Sequence, residues 1–198
     1  MTSPGTAGPH RHRHEHRHPT STATPTSTGT PTSTGTRGSE RMSEVTLRPL
    51  EVSDLDTVFD QMRDPESVRM AAFTAEDPDD RRAFDAHTAR IMAAPETTNR
   101  AIICDSALVG TIASWTSEGT TEITYWIDRE FWGHGVATQA LRLLLEEIPT
   151  RPLRARVASD NAGSLRVLQK AGFRLIGTEV SFAQGRGGET EETILELS

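Results

Sequence analysis

Two stretches of this 198-residue chain decide its fold: Phe131-Trp-Gly-His-Gly-Val-Ala-Thr138 and Asn161-Ala-Gly-Ser-Leu-Arg-Val-Leu-Gln-Lys-Ala-Gly-Phe173. The first is a glycine loop that leads into an apolar helical pattern, and such a loop offers free backbone N–H groups to a phosphate. In the second, Asn161 can cap a helix and Gly172 can end it in the left-handed conformation. Taken alone, the loop is equally typical of an ordinary turn before a helix.

One predicted strand separates the two stretches, with Leu153, Ala155 and Val157 alternating with arginines. In this order the loop, strand and capped helix resemble the Gcn5-related N-acetyltransferase (GNAT) family. The likeness is greatest to its ribosomal-protein-alanine acetyltransferase-like (RimJ/RimL-type) branch. The resemblance implies a mixed α+β chain with the GNAT acyl-CoA N-acyltransferase fold, in which a mostly antiparallel sheet carries helices on both faces.

Local periodicity supports this fold class. Strands are predicted over 45–50, 101–104, 108–115, 121–128, 153–157, 173–182 and 193–197. Helices are predicted over 53–62, 84–92, 137–148 and 161–171. Pro65 and Pro95 end the first two helices, and turn residues at 105–106 and 117–119 connect an antiparallel meander.

The first 42 residues differ in composition from the remainder. They contain almost no large apolar side chain, alternate His with charged residues over 10–18, and repeat Thr-Pro-Thr-Ser-Thr-Gly at 24–29 and 30–35. Such a segment cannot bury enough surface to offset the entropy of ordering. We therefore expect a disordered, low-complexity tail over 1–42, whose histidines could capture Zn²⁺ or Ni²⁺ without a fixed site, and one GNAT domain over 43–198.

Charge and apolar content restrict the partners. Residues 1–41 hold five Arg and two Glu, so the chain's net charge of −7 leaves −10 on residues 42–198. An acidic domain argues against nucleic acid and favours a cationic acceptor. No apolar run approaches the roughly 18 residues that span a bilayer, and no secretion signal is present, so we expect a cytoplasmic protein without a membrane partner. We expect a monomer or homodimer.

Cysteine content and the form of the loop exclude other classes. The single Cys104 rules out an internal disulfide framework and a thiolate metal cluster, and no metal is expected in the reaction. A P-loop kinase would need Gly-Lys-Ser/Thr after the loop, and that sequence is absent.

The resemblance implies acetyl-CoA as co-substrate. The family's loop reads Gln or Arg, two residues, Gly, any residue, then Gly or Ala, and here Trp132 takes the first place. Gly135 and Ala137 would let the pyrophosphate approach the backbone at the start of a helix, and His134 is expected beside phosphate. The residues expected to bind acetyl-CoA are Trp126, Ile127, Trp132, Gly133, His134, Gly135, Val136, Ala137, Thr138, Asn161 and Ser164.

The resemblance also implies how the cofactor arm is held. In that fold the strand over 121–128 splays from its neighbour, and the pantetheine arm pairs with backbone at Trp126 and Ile127. Asn161 would contact a pantetheine amide, although a cap alone also explains it. Arg166 and Lys170 are candidates for CoA phosphates, or a solvated helix face.

Two residues are predicted to be catalytic. An acceptor amine has a pKa of about 10.4 and must lose a proton before it attacks a thioester, so a carboxylate near the cleft can serve as base. Glu122 is the candidate, and Glu118 and Glu179 are alternatives. The resemblance places the Ser164 hydroxyl beside the leaving thiolate, and a strand N–H near Ile127 would stabilise the oxyanion.

These residues predict an N-acetyltransferase that moves the acetyl group of acetyl-CoA to a primary amine by direct attack in a ternary complex. Neither Cys104 nor Ser164 has a neighbouring His/Asp pair that would make it a nucleophile. The acceptor stays open among a protein N-terminus, an amino acid, an antibiotic and other small amines. The alternative is a non-catalytic acetyl-CoA-binding or regulatory module.

Overall fold

The computed structural model describes residues 44–198, and the predicted tail over 1–42 lies outside the described residues. The strands are β1 (Val45–Pro49), β2 (Thr97–Cys104), β3 (Ala107–Ser117), β4 (Thr120–Ile127), β5 (Leu153–Ala158), β6 (Arg174–Ala183) and β7 (Gly188–Leu197). The helices are α1 (Leu55–Met62), α2 (Pro65–Ala71), α3 (Arg81–Ala93), α4 (Val136–Glu147) and α5 (Ala162–Lys170). Short 3₁₀ turns precede α1 and α4.

The seven strands form one mixed sheet in the order β1-β2-β3-β4-β5-β7-β6. Every pair is antiparallel except β4 with β5. That parallel pair is short, because it runs only from Thr121 opposite Leu153 to Ile123 opposite Ala155. Beyond this point β4 and β5 diverge, and the opening that results is called the splay below.

Helices cover both faces of the sheet, as predicted. Successive residues of β4 point to opposite faces: the Trp126 indole N–H donates to Gln61 O of α1, whereas the Tyr125 hydroxyl donates to Ser164 O of α5. The main core lies on the Tyr125 face, where α4 and α5 pack on the sheet. Its most deeply buried leucines are Leu141, Leu144, Leu153, Leu168 and Leu195.

Two elements differ from the sequence prediction. The sequence pattern does not predict helix α2, since Pro65 indicates only the end of the preceding helix. In the structure Pro65 occupies the first turn, where its missing N–H costs nothing, and the Asp64 carboxylate accepts from the Ser67 amide at 2.9 Å. Strand β7 begins five residues earlier than predicted, because its polar first half is paired with β6 rather than marked by apolar residues.

The β6–β7 turn docks on the end of α2. The Gly185 amide donates to Ala72 O at 2.8 Å, and the Arg186 side chain donates to Arg69 O at 2.8 Å while binding both oxygens of Asp160. Ala72 itself is fully buried with φ 65° and ψ −55°, a strained γ-turn conformation. This contact, called the hairpin junction below, joins α2, the β6–β7 turn and the β5–α5 loop.

Within residues 44–198 no helix combines the length and apolar character needed to cross a membrane.

Candidate functional site

A cleft of about 580 Å³ opens where β4 and β5 diverge, within the usual size range of small-molecule sites. Its walls are the splayed end of β4, the loop before α4, the first turns of α4 and α5, and one side of α2. The lining residues are Ser67, Met70, Ala71, Tyr125, Trp126, Ile127, Phe131, Trp132, Gly133, Gly135, Val136, Ala137, Thr138, Asp160, Asn161, Ala162, Gly163, Ser164, Arg166, Val167 and Lys170.

The splay leaves one edge of β4 open to the cleft. The Asp128 amide donates to Val109 O of β3 at 2.8 Å. Because backbone groups alternate direction along a strand, the N–H and C=O of Ile127 then point away from β3, into the splay. The Trp132 indole N–H donates to Ile127 O at 2.8 Å. Trp132 therefore fastens the glycine loop to the end of β4.

The loop and the start of α4 present several free amides. Gly133 and Gly135 have φ of 78° and 79°, in the left-handed region that favours glycine, and a Cβ at either position would meet nothing within 4 Å. No hydrogen-bond acceptor lies opposite the amides of residues 133–138 within the described chain. A helix N-terminus with free N–H groups and no side chains in the way fits a phosphate group.

The first turn of α5 carries the polar side chains of the opposite wall. Asn161 Oδ1 accepts from the Ser164 amide at 3.1 Å and caps the helix, while its Nδ2 donates to Met70 O of α2 at 3.4 Å. Ser164 lines the cleft, and its hydroxyl has no hydrogen-bond partner among residues 44–198. Asn161 thus links α5 to α2, and Ser164 keeps a hydroxyl available to a bound molecule.

Tyr125 is a cleft residue to which sequence reasoning assigned no function. Its hydroxyl donates to Ser164 O at 3.3 Å across the splay. Burial raises the pKa of Tyr125 to about 12, so the hydroxyl stays protonated near neutral pH. Strand parity could have placed it opposite Trp126, but the contact with α5 depends on how the two elements pack.

Sequence reasoning also missed the contribution of α2 and the β5–α5 loop. Ser67, Met70 and Ala71 line the cleft from α2, and Asp160 lines it beside Asn161. The guanidinium of Arg186 lowers the pKa of Asp160, which keeps that carboxylate ionised. Only the weak signal of Asp64-Pro65 as a helix start could have indicated α2.

The predicted site residues fall into two groups. Those of the loop, the end of β4 and the start of α5 come together in the cleft wall, and only His134 of the loop is not among the lining residues. Glu122 does not line the cleft. It lies in the paired part of β4, one residue before the last β4–β5 pair, and its Oε1 is 3.5 Å from Arg156 Nε. Its side chain faces the same way as Trp126, away from Tyr125.

Arg156 gathers three carboxylates on that face of the sheet. Its guanidinium lies 2.8 Å from Glu179, 3.1 Å from Glu192 and 3.5 Å from Glu122. Three carboxylates around one guanidinium leave two negative charges in excess. The hydrogen bond to Glu179 is the main reason that the pKa of Arg156 is raised. Among the described residues, no group of His, Cys, Asp and Glu side chains could hold a metal ion.

Comparison with known proteins agrees with this geometry. The sequence model of the acetyltransferase (GNAT) domain matches residues 44–174, which is more than half of the chain. The chain belongs to the GNAT acetyltransferase family. The predicted family and fold class are thereby confirmed, and the match spans every residue that lines the cleft.

Individual relatives of this GNAT domain are distant. The probable N-acetyltransferase YjcK of Bacillus subtilis (strain 168) is 35% identical over 81 residues, which are 37% of this chain and 45% of YjcK. The alignment therefore spans less than half of that relative.

Two solved structures show the same fold. Mycobacterium smegmatis RimJ in complex with CoA-disulfide has a TM-score of 0.67 at 21% identity, covering 77% of this chain and 81% of RimJ. Spermidine N-acetyltransferase from Vibrio cholerae, in complex with CoA and spermine, has a TM-score of 0.63 at 17% identity, covering 77% of this chain and 95% of that chain. At these identities, the similarity to both structures shows a shared fold.

Proposed function

We propose that this protein transfers the acetyl group of acetyl-CoA to a primary amine in a ternary complex. The observation that carries the proposal is the cleft itself. An open strand edge, a set of free loop amides and an available serine hydroxyl converge on one volume. Solved relatives of the same fold bind CoA or acetyl-CoA, which supports acetyl-CoA as the co-substrate.

In this proposal each part of the cleft has one task. The amides of residues 133–138 bind the pyrophosphate, and the open edge of β4 pairs with the pantetheine arm. The amine nitrogen bonds to the acetyl carbon as the carbon–sulfur bond breaks. The Ile127 N–H stabilises the developing oxyanion, and Ser164 donates a hydrogen bond or proton to the departing sulfur.

The proton lost by the amine needs an acceptor. Glu122 remains our candidate, acting through water, because it lies at the closed end of the splay. Glu179, which shares Arg156 with Glu122, and Glu118, on the turn between β3 and β4, are the alternatives. The excess negative charge around Arg156 supports a cationic amine that approaches from this face. A polyamine, an amino acid and a peptide with a free N-terminus are the acceptors to compare.

The test is release of CoA thiol from acetyl-CoA across that amine panel, with mass spectrometry of the products. We expect Ser164→Ala to lower kcat by about 100-fold, the lower end for a proton donor, while acetyl-CoA binding changes much less. Ser159→Ala is the matched control, since that hydroxyl bonds to Thr193 outside the cleft. Glu122→Gln and Glu179→Gln, compared in the same assay, identify the base as the variant with the larger loss.

Two results would count against the proposal. Acetyl-CoA binding without amine-dependent thiol release would favour the non-catalytic module. Turnover that is unchanged in Ser164→Ala would remove Ser164 from the reaction.

A further inference from the structure

Tyr125 bridges the splay at the point where the sheet has stopped pairing. The last β4–β5 backbone pair is Ile123 with Ala155, two residues before Tyr125. Beyond it, the Tyr125 hydroxyl reaches across the opening to the carbonyl oxygen of Ser164 at 3.3 Å. The aromatic ring packs against the main core, so the position of this hydroxyl is restricted by close packing.

Both peptide groups of Ser164 are held while its hydroxyl is left free. The N–H donates to Asn161 Oδ1 and the C=O accepts from Tyr125 Oη. Ser164 lines the cleft, and its hydroxyl has no partner among residues 44–198. Because a serine side chain has a single short rotor, the position of its backbone determines where the hydroxyl can reach.

The Tyr125 hydroxyl is also a constant donor. Burial raises its pKa to about 12, so the hydroxyl keeps its proton at the pH values at which an amine loses one. Its hydrogen bond to the carbonyl therefore does not change over that range. A phenylalanine ring would fill the same space in the core. The hydroxyl therefore adds something that packing alone does not require.

We propose that Tyr125 is a positioning residue that acts through Ser164: it fixes the distance from the first turn of α5 to the open edge of β4. The inference rests on the proposed function, because it assigns to Tyr125 the placement of the group that meets the departing sulfur. A misplacement of about 1 Å of such a group can cost of the order of 100-fold in rate.

The experiment is a double-mutant cycle with Tyr125→Phe in the wild-type and Ser164→Ala backgrounds. In the wild-type background we expect kcat to fall by about tenfold or more, by analogy with the outer residues that orient metal ligands. The KM for acetyl-CoA should change less than twofold, since the loop amides and the β4 edge are untouched. In the Ser164→Ala background the same substitution should have no further effect on kcat.

The experiment distinguishes failure of the Tyr125 role from failure of the proposed function. An equal loss in both backgrounds, or no loss in the first, would overturn the role of Tyr125 while leaving the acetyltransferase intact. A wild-type protein that releases no thiol with any amine would instead end the proposed function, and this inference with it.

A second measurement does not depend on how well the Phe variant folds. Tyr125 is the only tyrosine in the chain, so biosynthetic replacement by 3-fluorotyrosine alters this hydroxyl alone. Fluorine makes the phenol more acidic without changing the ring's shape appreciably. We expect the labelled protein to lose kcat at alkaline pH values at which the wild type keeps it, and identical pH profiles would overturn the inference.

Discussion

At the scale of single residues, Asp54 shows how a buried charge ties the first strand to the first helix. Both of its carboxylate oxygens accept from the Arg48 guanidinium at 2.7 Å, and Oδ2 also accepts from the Glu51 amide at 2.9 Å. The hydrogen bond from Arg48 lowers the pKa of Asp54 below its usual 3.8, against the opposing effect of burial.

This gives a prediction of stability against pH. A lowered pKa means that the ionised form is favoured in the folded state, so its contribution is complete above about pH 4 and is lost as pH falls through the folded-state value. We expect Asp54→Asn to cost about 2 kcal/mol at pH 7, typical of a hydrogen bond to a charged group. That difference from wild type should shrink between pH 4 and pH 2.5, as measured by urea unfolding.

The matched control is Asp56→Asn. Asp56 pairs with Arg81 at 2.7 Å, but its side chain is 83% exposed. Solvent screens such a pair, so the substitution should change the free energy of unfolding little at either pH. A difference for Asp54→Asn that stays constant down to pH 2.5 would contradict the interpretation of its ion pair.

The site divides at this scale into residues that sequence could predict and residues that it could not. Asn161 was predictable because a helix cap is a local requirement of the backbone, and Gly135 because the loop pattern places it at the start of a helix. The contact between Tyr125 and Ser164 was not, because it depends on how far β4 diverges from β5. For the same reason Glu122 could be assigned to a sheet face but not to the cleft wall.

At the scale of elements, the hairpin junction determines where α2 stands. A Cβ on Gly185 would lie 2.7 Å from Val68 O, 2.8 Å from Thr74 Oγ1 and 2.9 Å from Ala72 O. Two of these atoms are backbone and cannot move without displacing the helix end. Because Met70 and Ala71 line the cleft, a displaced α2 would change one of its walls.

We therefore expect Gly185→Ala to lower the free energy of unfolding by about 1–3 kcal/mol, the usual cost of overpacking. Gly188→Ala, three residues after Gly185 and outside the contact with α2, is the control. It has an ordinary φ and nothing within 4 Å of its Cβ position, so we expect a change within about 0.5 kcal/mol. Equal unfolding midpoints in urea for the two variants would show that the turn accommodates the added methyl group without loss of stability.

Element prediction succeeded where the pattern was apolar and failed where it was polar. The periodicities of α4 and α5 reported their buried faces directly, because those faces build the main core. Helix α2 and the first half of β7 bury few apolar side chains and are held by caps and backbone pairing instead. The spacing of apolar residues along the sequence therefore cannot reveal such elements.

At the scale of the whole molecule, both buried clusters and the entire sheet are built from residues 45–198. We propose that the domain, which is predicted to begin at residue 43, folds without residues 1–42. We expect a chain of residues 43–198 to unfold in urea at the same midpoint as the full chain and to keep the same kcat. A midpoint that falls on removal of residues 1–42 would place part of the stability in the tail.

The strand order has a consequence for how the protein is made. Strand β7 lies between β5 and β6, so β6 has no partner in the sheet until residues 188–197 have left the ribosome. Until then a nascent chain already carries the glycine loop and α5, yet β5 is an uncovered strand edge and α2 lacks its hairpin support. Pairing of β6 and closure of the β5 edge therefore wait for β7, and we expect a chain stalled before residue 188 to expose a strand edge that favours aggregation.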